Sequence, residues 1–539
     1  MRLRTIYALG CLLLFFGASA CEDSASPDTN RDMPDSGITD VVDSGTSDAD
    51  VPDTQDGEDA DTREEDADTS DSGLPDTQGG EDADTREEDA AHTEAGLDGA
   101  ACAQHSDCAG GYCMPSPDWP GGYCSTPDCQ VDSDCSTGQG AVDAYCFVQS
   151  SNSGFCLHRC QSSQDCRSGY ACSSIGNNLA VCLADAWDEV TIDDLEDYPF
   201  EITCGLAAEN NRASIAYEVA TDTTSYLITP IALDGEYLEL HTTTLPNQEQ
   251  IEYDGTHYFQ TYPAVTFGII NPMMIPALEQ FGTDLQAGTH TLELINTRSQ
   301  NICHYLLEES TPGTTIDFNI YLVGVGLSAE DAAADADMQV ALDEVDALYA
   351  QMGVSVGEVR YHAITGDDAA AYQILRSVSD VKELMALSTR PDGGYDEALS
   401  VNIFLVRALQ IPSNSPYGFS VGLPGPAGLH GTPFSGVAVS TEYFGGQFVT
   451  DDGFPVDGNE FTGNFIAHEV GHYLGLFHTT EVVGQDIEPL LDTPICSPAD
   501  FPNNCPDEDN LMFPLARTLN IELSEGQKFV LRANPLTKD

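Results

Sequence analysis

The string HEVGHYLGLFH, residues 468–478, restricts the local fold more than any other stretch of the chain. Apolar Phe461, Phe465, Ile466, Val470 and Leu474 fall at three- and four-residue steps. That spacing predicts a helix over 459–474 with one buried stripe. His468 and His472 stand four apart, so both rings leave the same helix face. Imidazoles so placed can each bring a nitrogen to about 2.0–2.1 Å from one Zn²⁺. Glu469 lies beside that face, where it can take a proton from a water activated by the metal. Gly475 tolerates left-handed backbone and is expected to end the helix. The chain then turns back and His478 offers a third nitrogen. Three protein ligands leave one coordination position open, as in catalytic rather than structural sites. A bare HExxH arises by chance on buried helices, but five fixed positions make the full string specific.

The string resembles the metzincin clan of zinc endopeptidases. That resemblance implies a methionine-containing turn beneath the metal, for which Met512 in Asp509-Asn510-Leu511-Met512-Phe513-Pro514 is the candidate. Leu491-Asp492-Thr493-Pro494, Cys496, Cys505-Pro506 and the Met512 turn are similar to the pappalysin family. So are Val401-Asn402-Ile403-Phe404-Leu405-Val406, Gly422-Leu423-Pro424-Gly425-Pro426 and Ser435-Gly436-Val437. The resemblance spans about the last 220 residues. Pappalysins and astacins usually carry a tyrosine two residues after the turn methionine. Pro514 stands there instead, as in a matrixin-like turn, so a metal-facing tyrosine does not carry over. The resemblance implies zinc as cofactor, with His468, His472 and His478 as ligands, Glu469 as general base and acid, and Met512 in a structural role. Thr479 and Phe513 are expected to border a substrate pocket.

A chain of 539 residues is long enough for several domains. It opens with basic Arg2 and Arg4, an apolar run over 6–16 and small residues 17–20, the pattern of a secretory signal peptide. Ala18-Ser19-Ala20 fits an A-x-A cleavage site. Small residues directly before Cys21 also resemble a bacterial lipobox, with Ala18 where leucine is usual. Cys21 is therefore the lipid-anchor candidate, and the expected location is a bacterial outer membrane or cell surface, or alternatively the medium. Residues 22–98 are rich in Asp, Thr, Ser, Gly and Pro and nearly lack aromatics, so this stretch is expected to form an extended acidic tether. It carries a duplication, PDTQDGEDADTREEDA at 52–67 and PDTQGGEDADTREEDA at 75–90, which reads as repeated spacer. The net charge of −72 excludes nucleic acid as a partner and leaves a lipid anchor as the route to a membrane. The partner implied is a protein or peptide substrate, acted on by a monomer.

Twelve cysteines between Cys102 and Cys182 form three groups of four. Each group opens with C-x5-C and has an aspartate before its second cysteine (Asp107, Asp134, Asp165). In an exported chain such small units pair their cysteines as disulfides. Four cysteines allow three connectivities, and spacing does not choose among them. Alternating segments near 214–219, 225–230, 237–242 and 289–295 predict an antiparallel sandwich. Cys204 and Cys303 are expected to join its ends, and His257, His290 and His304 read as surface or strand residues. After that, 316–325 reads as a strand. A helix capped by Ser328 and Asp331 runs to Met352 and ends at Gly353. Strands follow at 359–364 and 401–405, with an edge strand near 436–440 that could pair with an extended peptide. Cys496 and Cys505 are expected to form a local disulfide, and Ser524 with Gln527 to start a closing helix. Asp451, Asp452, Asp457 and the acids at 507–509 could hold a structural Ca²⁺.

The expected architecture is multidomain. It comprises a signal peptide at 1–20, a tether at 21–99, three four-cysteine repeats at 100–184, an all-β sandwich at 185–312 and an α+β metzincin-like domain at 313–539 with a twisted mixed sheet. The function it implies is a secreted or lipid-anchored zinc endopeptidase. Two alternatives share these residues: a surface binding or adhesion lipoprotein with a latent zinc domain, and a zinc amidase acting on cell-wall peptides.

Overall fold

Strand pairing, disulfides and one long buried helix organise the chain in the computed structural model, which describes residues 96–539 apart from internal stretches. The longest of these stretches are 136–143, 185–194, 253–269, 276–284 and 481–487. The leader, Cys21, the duplicated tether, His257, Asp451 and Asp452 lie outside the described residues.

The cysteine-rich region is a row of short hairpins whose cores are the disulfides themselves. Cys102 bonds Cys113 and Cys108 bonds Cys124; Cys129 bonds Cys146 and Cys135 bonds Cys156. Cys166 bonds Cys182. First-to-third and second-to-fourth pairing is thus the connectivity that spacing had left open. The Ser125 hydroxyl donates to Cys156 O at 3.0 Å and accepts from Cys156 N at 2.9 Å, tying the first hairpin to the second. Arg167 Nε donates to Gly99 O at 3.2 Å, tying the third group back to the first.

Two antiparallel four-stranded sheets follow. One runs Gln250–Glu252, Glu239–Thr244, Gly288–Ile295, Arg212–Val219; the other Met273–Ile275, Ser225–Ala232, Ile302–Glu309, Thr203–Leu206. Cys204 is bonded to Cys303. Arg212–Val219 alternates exposed and buried residues, as a strand with one wet face must. Ser225–Ala232 is buried along its whole length, because its sheet is covered on both faces. Tyr226, Ile228 and Ala232 enter the core between the two sheets, while Leu227 and Ile231 enter the core of the C-terminal body. His290, expected at a surface or on a strand, is in a strand and buried. Its Nδ1 meets the Tyr226 hydroxyl at 3.0 Å and its Nε2 meets Gln286 O at 2.7 Å.

The C-terminal body is α+β around a six-stranded mixed sheet. The order is Ser355–Ile364, Thr315–Val323, Val401–Val406, Val437–Ser440, Gly418–Ser420, with Thr537–Lys538 pairing Thr315–Val323 outside that path. The first four strands are parallel, and Gly418–Ser420 and Thr537–Lys538 run antiparallel. Two expectations are corrected here. The strand near 436–440 is internal, hydrogen-bonded on both sides, and the edge is Gly418–Ser420. The helix expected from Ser328 to Met352 is two helices, Ala329–Ala332 and Ala336–Ala350. Asp335 starts the second by accepting from Met338 N at 3.0 Å, which a continuous helix would not allow.

The C-terminal strand closes the sheet with a charge. Lys538 Nζ lies 2.6 Å from Asp317 Oδ2, and Asp317 is 8% exposed. Arg360, at 4.0 Å, is its other cation. Lys538→Ala leaves a largely buried carboxylate underpaired, so a stability loss of about 2–3 kcal/mol is expected. Urea unfolding measures it, and a midpoint equal to wild type would contradict the role given to this pair.

Candidate metal centre

The helix Gly458–Leu474 carries the first two histidines and is buried on nearly every side. Asp457 caps it by accepting from Asn459 N at 2.8 Å. The backing helix Ala336–Ala350 crosses it where Gly463 sits: a Cβ there would lie 2.2 Å from Ala341 O, so only glycine permits the approach. Gly475, at φ 114°, ends the helix in left-handed backbone. The chain reverses and brings His478 back to the helix.

His468, His472 and His478 offer ring nitrogens that all lie within 4.8 Å of one another. The Nε2 atoms of His472 and His478 are 3.1 Å apart, close to the ~3.3 Å of two ligands around a tetrahedral centre with bonds of about 2.0–2.1 Å. His468 Nδ1 is 2.6 Å from Leu511 O and His472 Nδ1 is 2.7 Å from Leu476 O. A carbonyl only accepts, so both Nδ1 atoms carry the proton and both Nε2 lone pairs face the shared space. Burial, reinforced by the neighbouring His478, lowers the His468 pKa to about 3 and pushes His472 well down. Both rings are thereby kept in the neutral form that binds metal.

Glu469 is fully buried, and neither carboxylate oxygen has a hydrogen-bond partner among the described residues. Burial raises its pKa well above the usual carboxylate range. An unpartnered buried carboxylate is costly, and here it belongs to the residue next to His468, one of three convergent imidazoles. The edge strand passes against it: a Cβ on Gly418 would lie 2.5 Å from Glu469 Oε1. Three convergent ring nitrogens, with an acid on the residue next to His468, fit a metal ion, and these side chains would hold it.

Met512 is buried below the helix, and a Cβ on Gly471 would come within 2.9 Å of its sulfur. The Met512 carbonyl accepts from Thr479 N at 3.1 Å, fixing the residue after His478. Phe513 packs with Phe501, Leu515 and the Cys496–Cys505 disulfide in a separate small core. Of the acids expected around calcium, Asp457 caps the helix and Asp507 Oδ2 accepts from Thr480 Oγ1 at 2.7 Å. Among the described residues no three carboxylates gather at one point. Gly418 and the carbonyls of Leu511 and Leu476 were missed by sequence reasoning, because a backbone oxygen or a missing side chain leaves no mark of its role in the sequence.

No protein-family model matches the chain, and no curated protein does. Among solved structures it is similar to metalloproteinase-II from Bacteroides fragilis, at 13% identity over 63% of this chain and 93% of that chain, with a TM-score of 0.25. A superposition that loose bears no weight for fold or activity. The many disulfides among the described residues indicate an exported protein. No helix among those residues is long and apolar enough to cross a membrane.

Proposed function

We propose that the chain is a zinc-dependent endopeptidase of the metzincin type, exported and held at the cell surface by a lipid on Cys21. The observation that carries this reading is the convergence of the His468, His472 and His478 ring nitrogens, with the buried Glu469 side chain, unpartnered among the described residues, on the residue next to His468. His468, His472 and His478 would hold the metal, and three nitrogen donors suit zinc. Zinc, when bound, lowers the pKa of a water and polarises a scissile carbonyl. Glu469 takes the proton of the attacking water and returns it to the leaving amine. Leu511 O and Leu476 O keep two imidazoles in the ligating tautomer. Met512 supports the helix from below and does no chemistry, and Pro514 after it fits a matrixin-like turn. A protein or peptide is the substrate class that matches this chemistry.

The test uses the full purified chain, with metal content and hydrolysis of an unstructured protein read on the same sample. Bound zinc and cleavage are expected. A chelator should abolish cleavage and lower the Tm, because a ligand bound only to the folded state stabilises it. Cleavage that persists in metal-stripped protein would sink the reading.

A further inference from the structure

We propose that Asn510 and Gln527 are positioning residues for the metal, joined so that the closing helix Glu525–Ala533 sets the orientation of His468; the inference rests on the metal site proposed above. The link runs through five hydrogen bonds. His468 Nδ1 donates to Leu511 O at 2.6 Å. Leu511 sits between Asn510 and Met512, and Asn510 Oδ1 accepts from Met512 N at 2.9 Å, a side-chain turn that fixes the peptide around Leu511. Asn510 and Gln527 then exchange two bonds: Asn510 Nδ2 to Gln527 Oε1 at 2.9 Å, and Gln527 Nε2 to Asn510 Oδ1 at 3.1 Å. Gln527 Oε1 also accepts from Ser524 N at 2.9 Å, closing the capping box of the helix.

Both amides are buried, Gln527 completely and Asn510 at 7% exposure. Their orientations are not free. Asn510 Oδ1 accepts from the Met512 N–H, so the amide cannot be flipped and its Nδ2 is the donor to Gln527 Oε1. Gln527 Nε2 donates also to Glu488 Oε1 at 3.1 Å, which only a donor can do. Glu488 belongs to the segment that follows His478, so one side chain ties together the turn under the metal, the closing helix and the chain leaving the third ligand. A capping box on an ordinary helix needs only Ser524 and the Gln527 oxygen. The nitrogen of Gln527 is what reaches the turn. Groups that hold a ligand's other nitrogen typically govern metal affinity by 10–100-fold, and here that holding group is a carbonyl set by this amide pair.

The test compares Gln527→Met and Asn510→Ser with wild type and with Lys538→Ala. Methionine keeps length and helix propensity and loses both amide atoms. Serine can still accept from Met512 N and is too short to reach Gln527. Lys538→Ala weakens the fold elsewhere and serves as the stability control. The readouts are the zinc dissociation constant by chelator competition and the visible absorption bands of the cobalt(II) form. Gln527→Met is expected to weaken zinc binding by about 10–100-fold and to shift the cobalt bands. Asn510→Ser should act in the same direction, and Lys538→Ala should change neither readout. Wild-type affinity and bands in a folded Gln527→Met overturn the inference, and Asn510→Ser decides by the same readouts if the methionine variant does not fold. A wild type that binds neither metal overturns the peptidase reading and this inference together. A wild type that binds metal beside a variant that binds it equally overturns the inference alone.

Discussion

Glu469→Gln is expected to lower kcat for peptide hydrolysis by about 10²–10⁴-fold, the usual weight of a general acid–base group, with zinc content unchanged. The three ring nitrogens do not involve Glu469, so the ligand set survives. The Tm of the metal-free protein should not fall, because the carboxylate has no partner to lose among the described residues. That combination separates a chemical role from a structural one: a structural carboxylate would have hydrogen bonds, and its loss would destabilise. Gly418→Ala tests the same atoms from the other side. Its new Cβ would stand 2.4 Å from Glu469 Cγ and 2.5 Å from Oε1, and the fully buried Glu469 has little room to yield. A carboxylate displaced by about 1 Å can cost about 10²-fold in rate. Kinetics and metal analysis on both variants decide the matter. Glu469→Gln turning over like wild type would remove Glu469 from the mechanism.

How much of this site could be read from sequence follows from where its parts lie. The three histidines and Glu469 fall on one helix and one turn, where spacing is geometry, so the string alone places them. Gly475 was legible for the same reason. Gly418, Asn510 and Gln527 come from an edge strand, a turn and the closing helix, and only the tertiary fold brings them to the site helix and its turn. The edge strand was misplaced because 437–440 and 418–420 are both short and fully buried, and hydropathy says nothing about neighbour order. The break before Asp335 hid in an alanine-rich stretch whose propensity favours one continuous helix. The capping pairs Ser328 with Asp331 and Ser524 with Gln527 are local and were legible. The second role of Gln527, through its nitrogen, was not. Disulfide pairing in the hairpins needed the strand register, which sets Cys113 opposite Cys124 and Cys146 opposite Cys156 as neighbours rather than partners.

The fragment 313–539 is expected not to fold without the strands before it, although the three clustered histidines and the mixed sheet all lie inside it. The sheet containing Ser225–Ala232 covers the C-terminal body with a row of apolar side chains: Leu227, Ile231, Met274, Tyr305 and Leu307 share one core with the mixed sheet and the site helix. Alternation along each strand sends their neighbours Tyr226, Ile228, Met273, Ile275 and Ile302 into the other core, so neither half can be removed cleanly. The Tyr305 hydroxyl donates to Ala427 O at 2.9 Å and Ser225 Oγ to Ala533 O at 2.6 Å. The Tyr198 hydroxyl donates to His430 O. Gly425 of the same loop lies against the Tyr473 ring on the site helix and donates from its N–H to Tyr473 O at 2.8 Å. Removing the sheet therefore uncovers the loop that braces that helix. Five large apolar side chains at about 1.5–3 kcal/mol each come to roughly 8–15 kcal/mol, comparable with the whole stability of an ordinary domain. The fragment should show no cooperative thermal transition, while the full chain cut by an inserted protease site at 311–312, both exposed, should keep its two pieces together on gel filtration. Proteolytic activity of the cut protein should match the uncut one, since the cut leaves every contact named above in place. A fragment that melts cooperatively would show instead that the apolar face belongs to a separable neighbour, and a cut that releases one piece would show that the shared core is weaker than its buried side chains imply.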